Sequence, residues 1–429
     1  MQINNANFVH YHEKKKRMRR YAITVLLLFA ALTGAIAQQL TLETYLQRVM
    51  ENNTALVAQS MDIEISQAAI KSAKVYNDPT LSVEYGNNED WNTNLGHSFA
   101  ATLSRTFTFG VRRSNIHLAK EEFKATKAVF NNYVRNLIAD ASIAYLRHLR
   151  AKALLATAIK REEYIQQLAF SDSLRYARGD TPKTVWIETR LAAGLAHNGK
   201  LSAEAEYQNS IVELGYYMGT METSAINIAV EKLEELPAAI PSLDNCIEQS
   251  LANRADIDIA TSNVDIARAE KKLNSARRRI DLELNIGAEY NDADPSFTKL
   301  KVGAAIPLRF SNLNRGARIM EQTRIEQAEQ ELIDTRLRVQ SEVMQAHTNC
   351  RIAERQATTF TQGMMRETAE LLSSKRQAYS AGEISFIEFI ETERSDNMMT
   401  EEYINALYNR AASIVELMRS IGINSDIAE

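Results

Sequence analysis

Tyr176-Ala177-Arg178-Gly179-Asp180 returns 203 positions later as Tyr379-Ser380-Ala381-Gly382-Glu383, and the match runs on in step. Trp186-Ile187-Glu188-Thr189 becomes Phe389-Ile390-Glu391-Thr392, and Glu213-Leu214 with Gly219 becomes Glu416-Leu417 with Gly422. Chance does not keep order and spacing over more than 40 positions, so the chain is a tandem duplication. The fronts of the halves agree less closely: Leu42-Glu43 with Leu46, Met50 and Asn52 parallels Leu243-Asp244 with Ile247, Leu251 and Asn253. Pro237 and Pro241 mark the join, which divides the mature chain into repeats at 38–236 and 237–429.

Each half reads helix, hairpin, long helix, turn, helix. In the first, a helical pattern runs from Leu40 to Tyr76 and stops before Asn77-Asp78-Pro79. Alternation follows: Leu81, Val83 and Tyr85 share one face, Ser82 and Glu84 the other, giving a hairpin over about 80–109 with a polar loop from Gly86 to His97. The returning strand sets Phe99, Ala101, Leu103, Phe107 and Phe109 on one face, interrupted by Arg105. The second hairpin, about 281–308, alternates Leu282, Leu284, Ile286, Ala288 and Tyr290, and then Leu300, Val302, Ala304 and Ile306, with a loop at Asn291–Phe297. Strands of this kind, about ten residues long with one apolar face, suit a membrane barrel. They equally suit a hairpin half-buried on the helices of a soluble protein, and on the strands alone both readings stand.

The helices favour the barrel. Val111 to Arg178 holds 68 residues without proline or glycine, which as continuous helix spans about 100 Å. Phe123, Phe130, Leu137, Ala144, Ala151, Ala158 and Ile165 recur every seven residues, and Ile404, Leu407, Ala411, Ile414, Met418 and Ile421 keep a 3-4 spacing. These are coiled-coil seams. The fold class is therefore mainly α with a small β part. Four strands per subunit cannot close a barrel, since the smallest membrane barrels have about eight, so the subunit has to oligomerise to leave no open edge in lipid.

The N-terminus is consistent with export. A basic run, Lys14 to Arg20, precedes an apolar run from Ala22 to Leu32, and Ala35-Ile36-Ala37 fits a cleavage site, giving a signal peptide over 1–37 with Met18 as an alternative start. No cysteine follows the cut, so no lipid anchor is expected there. No later segment offers the ~20 apolar residues of a membrane helix, which leaves the barrel as the way into a bilayer. A net charge of −4 argues against nucleic acid as a partner. Cys246 and Cys350 are too few for a disulfide framework and read as small buried apolar residues. The histidines His97, His117, His148, His197 and His347 show no metal-ligand spacing, and His148 falls on a helical seam. No phosphate loop, HExxH or nucleophile elbow is present, so the chain does not read as an enzyme and no cofactor is implied.

Over roughly residues 40 to 423 the chain resembles the TolC-like outer-membrane efflux family. The resemblance lies in the duplication, the hairpin at the same place in each half, and the Tyr-x-x-Gly turn before each final helix. Asn77-Asp78-Pro79-Thr80-Leu81-Ser82-Val83-Glu84 entering the first hairpin and Phe107-Thr108-Phe109-Gly110-Val111-Arg112-Arg113 leaving it are also similar to the family. The resemblance implies a homotrimer with a single twelve-stranded barrel in outer-membrane lipid and an α-helical tube in the periplasm. It implies a passive exit duct joined by a periplasmic membrane-fusion adaptor to an inner-membrane pump of RND or ABC type. The hairpin-flanking motifs lean toward the CzcC- or CusC-like heavy-metal branch. A type I secretion duct, a drug-efflux duct and a non-channel periplasmic coiled-coil protein are the alternatives.

The same resemblance nominates site residues. Family members carry acids at the positions of Glu388 and Glu391, ringing the periplasmic aperture, and carboxylate rings favour cations. In the first half Val185 replaces one acid and Glu188 retains the other. Ile384 stands where some members carry a basic residue. Arg175, Tyr176, Gly179, Tyr379 and Gly382 are the expected helix-tip and adaptor-docking residues, with plain helix termination as the simpler role. Glu388 and Glu391 have a simpler reading too, as solvated surface glutamates.

Overall fold

A computed structural model describes residues 40–90, 93–222, 240–291, 299–307 and 315–423. The export signal, Trp91, the proline join at 237 and most of the second hairpin loop lie outside the described residues. The chain forms α1 (Leu42–Asn52), α2 (Thr54–Ser72), β1 (Thr80–Asp90), β2 (Thr93–Phe107), α3 (Val111–Arg178) and α4 (Lys183–Tyr217). The order then repeats as α5 (Leu243–Asn253), α6 (Ala255–Arg277), β3 (Leu282–Asn291), β4 (Lys299–Ala305), α7 (Arg315–Thr359), α8 (Met365–Ala381) and α9 (Phe386–Ile421). A π turn at Phe360–Met364 joins α7 to α8, with Gly363 at φ 117°.

α3 is one helix of 68 residues, ended on its C-terminal side by Gly179 in the left-handed region. Its seven-residue seam is buried at Leu137, Ala144, Ala151 and Ile165 and half-buried at the remaining positions. One core gathers the seam around Tyr145 with Tyr45, Val49, Leu214 and Val415, and a second, nearer the turns, holds Ile165, Tyr379, Phe386, Phe389 and Ile390. Cys246 and Cys350 are buried together with Val343, Leu417 and Ile421, as expected of small apolar residues.

Two expectations need correction. The helix read from Leu40 to Tyr76 breaks at Asn53, whose backbone is extended. Its side chain accepts from Leu56 N–H at 2.9 Å, capping α2, and donates Nδ2–H to the Tyr217 carbonyl at 2.9 Å. The polar segment Gly86 to His97 is not a loop either: β1 runs to Asp90 and β2 starts at Thr93, paired through Asn87 and His97. Backbone pairing continues after the apolar alternation has ended.

The halves close on themselves in the same way. A Cβ on Gly219 would lie 2.4 Å from the Asn52 carbonyl oxygen, and one on Gly422 would lie 3.0 Å from the Asn253 carbonyl carbon. Where Asn53 grips the Tyr217 carbonyl, Arg254 donates from Nη1 to the Ser420 carbonyl at 3.2 Å. Each final helix thus docks its terminal glycine on the break between its own half's two entry helices. Gly219→Ala meets both backbone and a φ of 67°; Gly179→Ala meets open space and pays the conformational cost of about 1–2 kcal/mol alone. Thermal melts followed by circular dichroism should show the larger fall for Gly219→Ala.

His148 is 2% exposed on the seam, and its ring lies 5.1 Å from that of Tyr207. Ser210 Oγ donates to the Tyr207 carbonyl at 2.6 Å, so the His148 Nδ1–H donates to Ser210 at 2.9 Å. Burial, with Lys152 nearby, pushes its pKa down from 6.5 to about 4. The unfolded chain therefore takes up this proton more readily, so stability is full above pH 6.5 and falls as the pH drops toward 4. The loss expected from this one group is on the order of 2–3 kcal/mol. His148→Gln should flatten that part of the melting temperature against pH.

Candidate functional site

The sheet has strand order β1-β2-β3-β4, antiparallel throughout, and its register sorts side chains into rows. Leu81, Leu103, Ile286 and Val302 form one row across four strands, and Val83, Ala101, Ala288 and Leu300 the next. Tyr85, Phe99 and Tyr290 form an aromatic row toward the loop end. On the other face lie Ser82, Thr102, Gly287 and Lys301, and then Thr80, Ser104, Asn285 and Gly303. The burial is inverted with respect to a soluble protein. Along β2 and β3 the apolar face is exposed and the polar face at least half-buried, while Leu300 and Val302 on β4 are 73% and 77% exposed. The hairpins therefore do not pack their apolar face on the helices, which removes the soluble half-buried reading. Among the described residues no helix is long and apolar enough to cross a membrane.

At the far ends of the helices the two turns meet. Gly179 and Gly382 both take left-handed backbone, φ 82° and 80°, and donate their N–H groups to the carbonyls of Tyr176 and Tyr379. Arg175 donates from Nη2 to the Ser380 carbonyl at 3.0 Å, tying the first turn to the second. Tyr379 is buried and donates its hydroxyl to Asp172 Oδ2 at 2.8 Å. Asp172 is 1% exposed, its Oδ1 has no hydrogen-bond partner, and Arg175 Nη1 stands 3.8 Å away. Burial pushes the Asp172 carboxyl above the usual range, against the pull of Tyr379 and Arg175. Tyr176 lies elsewhere, stacked on Trp186 with centroids 5.1 Å apart, and Arg190 covers that indole.

Glu388 and Glu391 are both exposed near the start of α9. Ser385 caps the helix, accepting from Glu388 N–H at 3.2 Å, which sets Glu388 in the first turn where a carboxylate suits the helix end. Its side chain is paired with Lys375 across the turn. Glu188 is half-buried on α4. After Gly382, Ile390 is buried with Ile384 packed against the same cluster, and Ile387 is exposed.

Sequence reasoning missed Asp172, Lys375 and a third acid, Glu393. Glu393 is buried two residues beyond Glu391 and accepts a forked pair from Arg161, Nε to Oε1 at 2.8 Å and Nη2 to Oε2 at 3.2 Å. Above it Arg376 stacks over Tyr164 at 3.7 Å. The available signal was position: Glu393 lies on the same helix face as Phe386, Phe389 and Ile390, where an acid needs a partner. Among the described residues no group of three or more His, Cys, Asp or Glu could hold a metal ion.

The model of the outer membrane efflux protein family matches residues 45–220 and 246–423, most of the chain. The chain belongs to that family. The family is one of outer-membrane channels, not of enzymes. Among curated proteins, none matches by sequence. Among solved structures, the CmeC outer membrane channel of Campylobacter jejuni shares 16% identity over 90% of this chain and 87% of its own, with a TM-score of 0.77. A membrane protein from Pseudomonas aeruginosa shares 17% over 89% and 93%, TM-score 0.75. CusC, solved in conformations accompanying folding and transmembrane channel formation, shares 17% over 89% and 92%, TM-score 0.71. The long helices with a four-stranded sheet are the TolC-like fold.

The tip contact has a direct test. Tyr379→Phe leaves Asp172 buried without a hydrogen-bond donor and should cost about 1–3 kcal/mol. Combined with Asp172→Asn the cost should shrink, because a neutral amide tolerates burial better. Limited proteolysis of the turns and thermal melts compare the variants.

Proposed function

We propose that three copies of this chain form the exit duct of a tripartite efflux system, a passive channel through the outer membrane whose tube meets a periplasmic adaptor and an inner-membrane pump of RND or ABC type. The observation that carries this reading is the sheet. Its apolar face is exposed, and among the described residues β1 and β4 each keep one edge that no other strand pairs. In hydrocarbon an unpaired strand edge costs several kcal/mol per backbone group, so the edges must be paired by neighbouring copies. Three copies give twelve strands; full outer-membrane recovery and discrete conductance in planar bilayers are expected, and a protein that fractionates with the periplasm and never conducts would overturn the reading.

In this duct the turns with Arg175, Tyr176, Gly179, Tyr379 and Gly382 face the adaptor, and Glu388, Glu391 and Glu188 line the narrow end. Lys375 already compensates Glu388, so Glu391 carries the larger share of the free negative charge. Replacing both Glu388 and Glu391 by alanine should lower the cation-to-anion permeability ratio in planar bilayers, with Glu391→Ala alone giving the larger single effect. An unchanged ratio removes the charge ring. The hairpin motifs lean the cargo toward heavy metals, with small amphiphiles as the alternative. Sensitivity of a deletion strain to metals, detergents and dyes separates the two.

A further inference from the structure

The apolar band of the sheet has two unlike ends. Toward the loops it closes with the row Tyr85, Phe99 and Tyr290. Toward the helices the row Arg105, Leu284 and Ala304 places an arginine on the lipid-facing side, one rung inside Phe107 and Leu282. A guanidinium is costly in hydrocarbon but tolerated at its margin, where the side chain reaches the headgroups.

The surroundings of Arg105 suit such a margin. Its guanidinium carbon lies 5.5 Å from the Phe107 ring centroid and 5.9 Å from that of Tyr76. Arg112, at the start of α3, covers the same Tyr76 ring at 4.3 Å and is held there by donating Nε–H to the Lys74 carbonyl at 2.7 Å. Arg279 reaches the same junction, its Nη1 lying 3.2 Å from where a Cβ on Gly110 would stand. None of these three arginines forms an ion pair among the described residues. Between Arg105 and Arg112 opens a cleft of about 210 Å³ lined also by Tyr76, Asn77, Phe107 and Phe109.

We propose that this cleft binds the phosphate of an anionic phospholipid in the periplasm-facing leaflet. The assignment rests on the membrane reading of the sheet given above. A phosphodiester offers two oxygens to the forked donors of arginine, while the exposed rings of Tyr76, Phe107 and Phe109 meet the glycerol and upper acyl carbons at the interface. Two lining cations without a carboxylate partner among the described residues, with a third at the same junction, favour a headgroup with net negative charge over a zwitterion, whose own cation would be repelled. A trimer would carry three such clefts around the collar between barrel and tube.

The test uses the full-length trimer reconstituted in vesicles of phosphatidylcholine with a minor share of phosphatidylglycerol. Lipid retained after gentle detergent extraction is read by native mass spectrometry, and conductance is recorded from the same vesicles. Phosphatidylglycerol should be enriched roughly fivefold or more over its share in the vesicles, and Arg105→Gln with Arg112→Gln should abolish the enrichment with conductance intact. Should the double variant fail to insert, Arg105→Gln alone serves, with partial loss expected. Equal enrichment in wild type and variant, or none in a conducting wild type, overturns the site. Displacement of the lipid by inorganic phosphate would make the cleft a general anion site and overturn the lipid assignment. A wild type that neither inserts nor conducts overturns the membrane reading itself, and the site with it.

Discussion

Everything in this structure depends on the hydrogen bonds that the sheet leaves unmade. Among the described residues, β1 and β4 each offer one row of backbone donors and acceptors that no other strand meets, and the exposed face between them is apolar. Water could satisfy those edges, but water would not tolerate the face. Lipid would accept the face, but not the edges. The conflict disappears when copies of the chain pair edge to edge around a closed ring. Association then follows from the backbone rather than from a particular side-chain interface.

In such a ring the helices would inherit their arrangement from it. A hairpin held in a barrel fixes where α3 starts, and 68 residues of unbroken helix carry that position about 100 Å away. The duplication supplies a second set of helices, each half tied off by a glycine seated against the break in its entry helices. Polar groups buried along the way are mostly matched. Glu393 has its Arg161 fork, His148 has Ser210, and Asp256 collects Arg135, Arg254 and Asn132. Asp172 is matched at one oxygen only, its Oδ1 making no hydrogen bond, and it sits at the contact between the two turns.

Periodic features were the legible ones. The 203-residue repeat, the long helix and the alternating strands show in the order of residues because each position repeats a local rule. The Gly86–His97 segment misled because its pairing continues after the apolar alternation stops, and polar residues out of pattern look like a loop. Asn53 misled because its neighbours are good helix formers; the break depends on a carbonyl 164 positions away. At the turns, Gly179 and Gly382 were readable from their type and place, whereas Asp172 and Tyr379 meet across 207 positions and leave no local trace. The exposed Glu388 was found by resemblance, yet its partner Lys375 lies 13 residues back across a turn, a pairing that emerges once the hairpin of helices is built.

The π turn at Phe360–Met364 makes the halves mechanically different. The first half reaches its turn through a single rod with regular bonding from end to end, while the second reaches its turn through two rods, α7 and α8, separated by a widened coil with a left-handed glycine. A bending load applied at the second turn concentrates at that joint, whereas the same load on the first turn is spread along the whole rod. With one stiff strut alternating with one jointed strut, the mouth of such a tube would widen by the swing of every second strut, the others serving as a fixed frame.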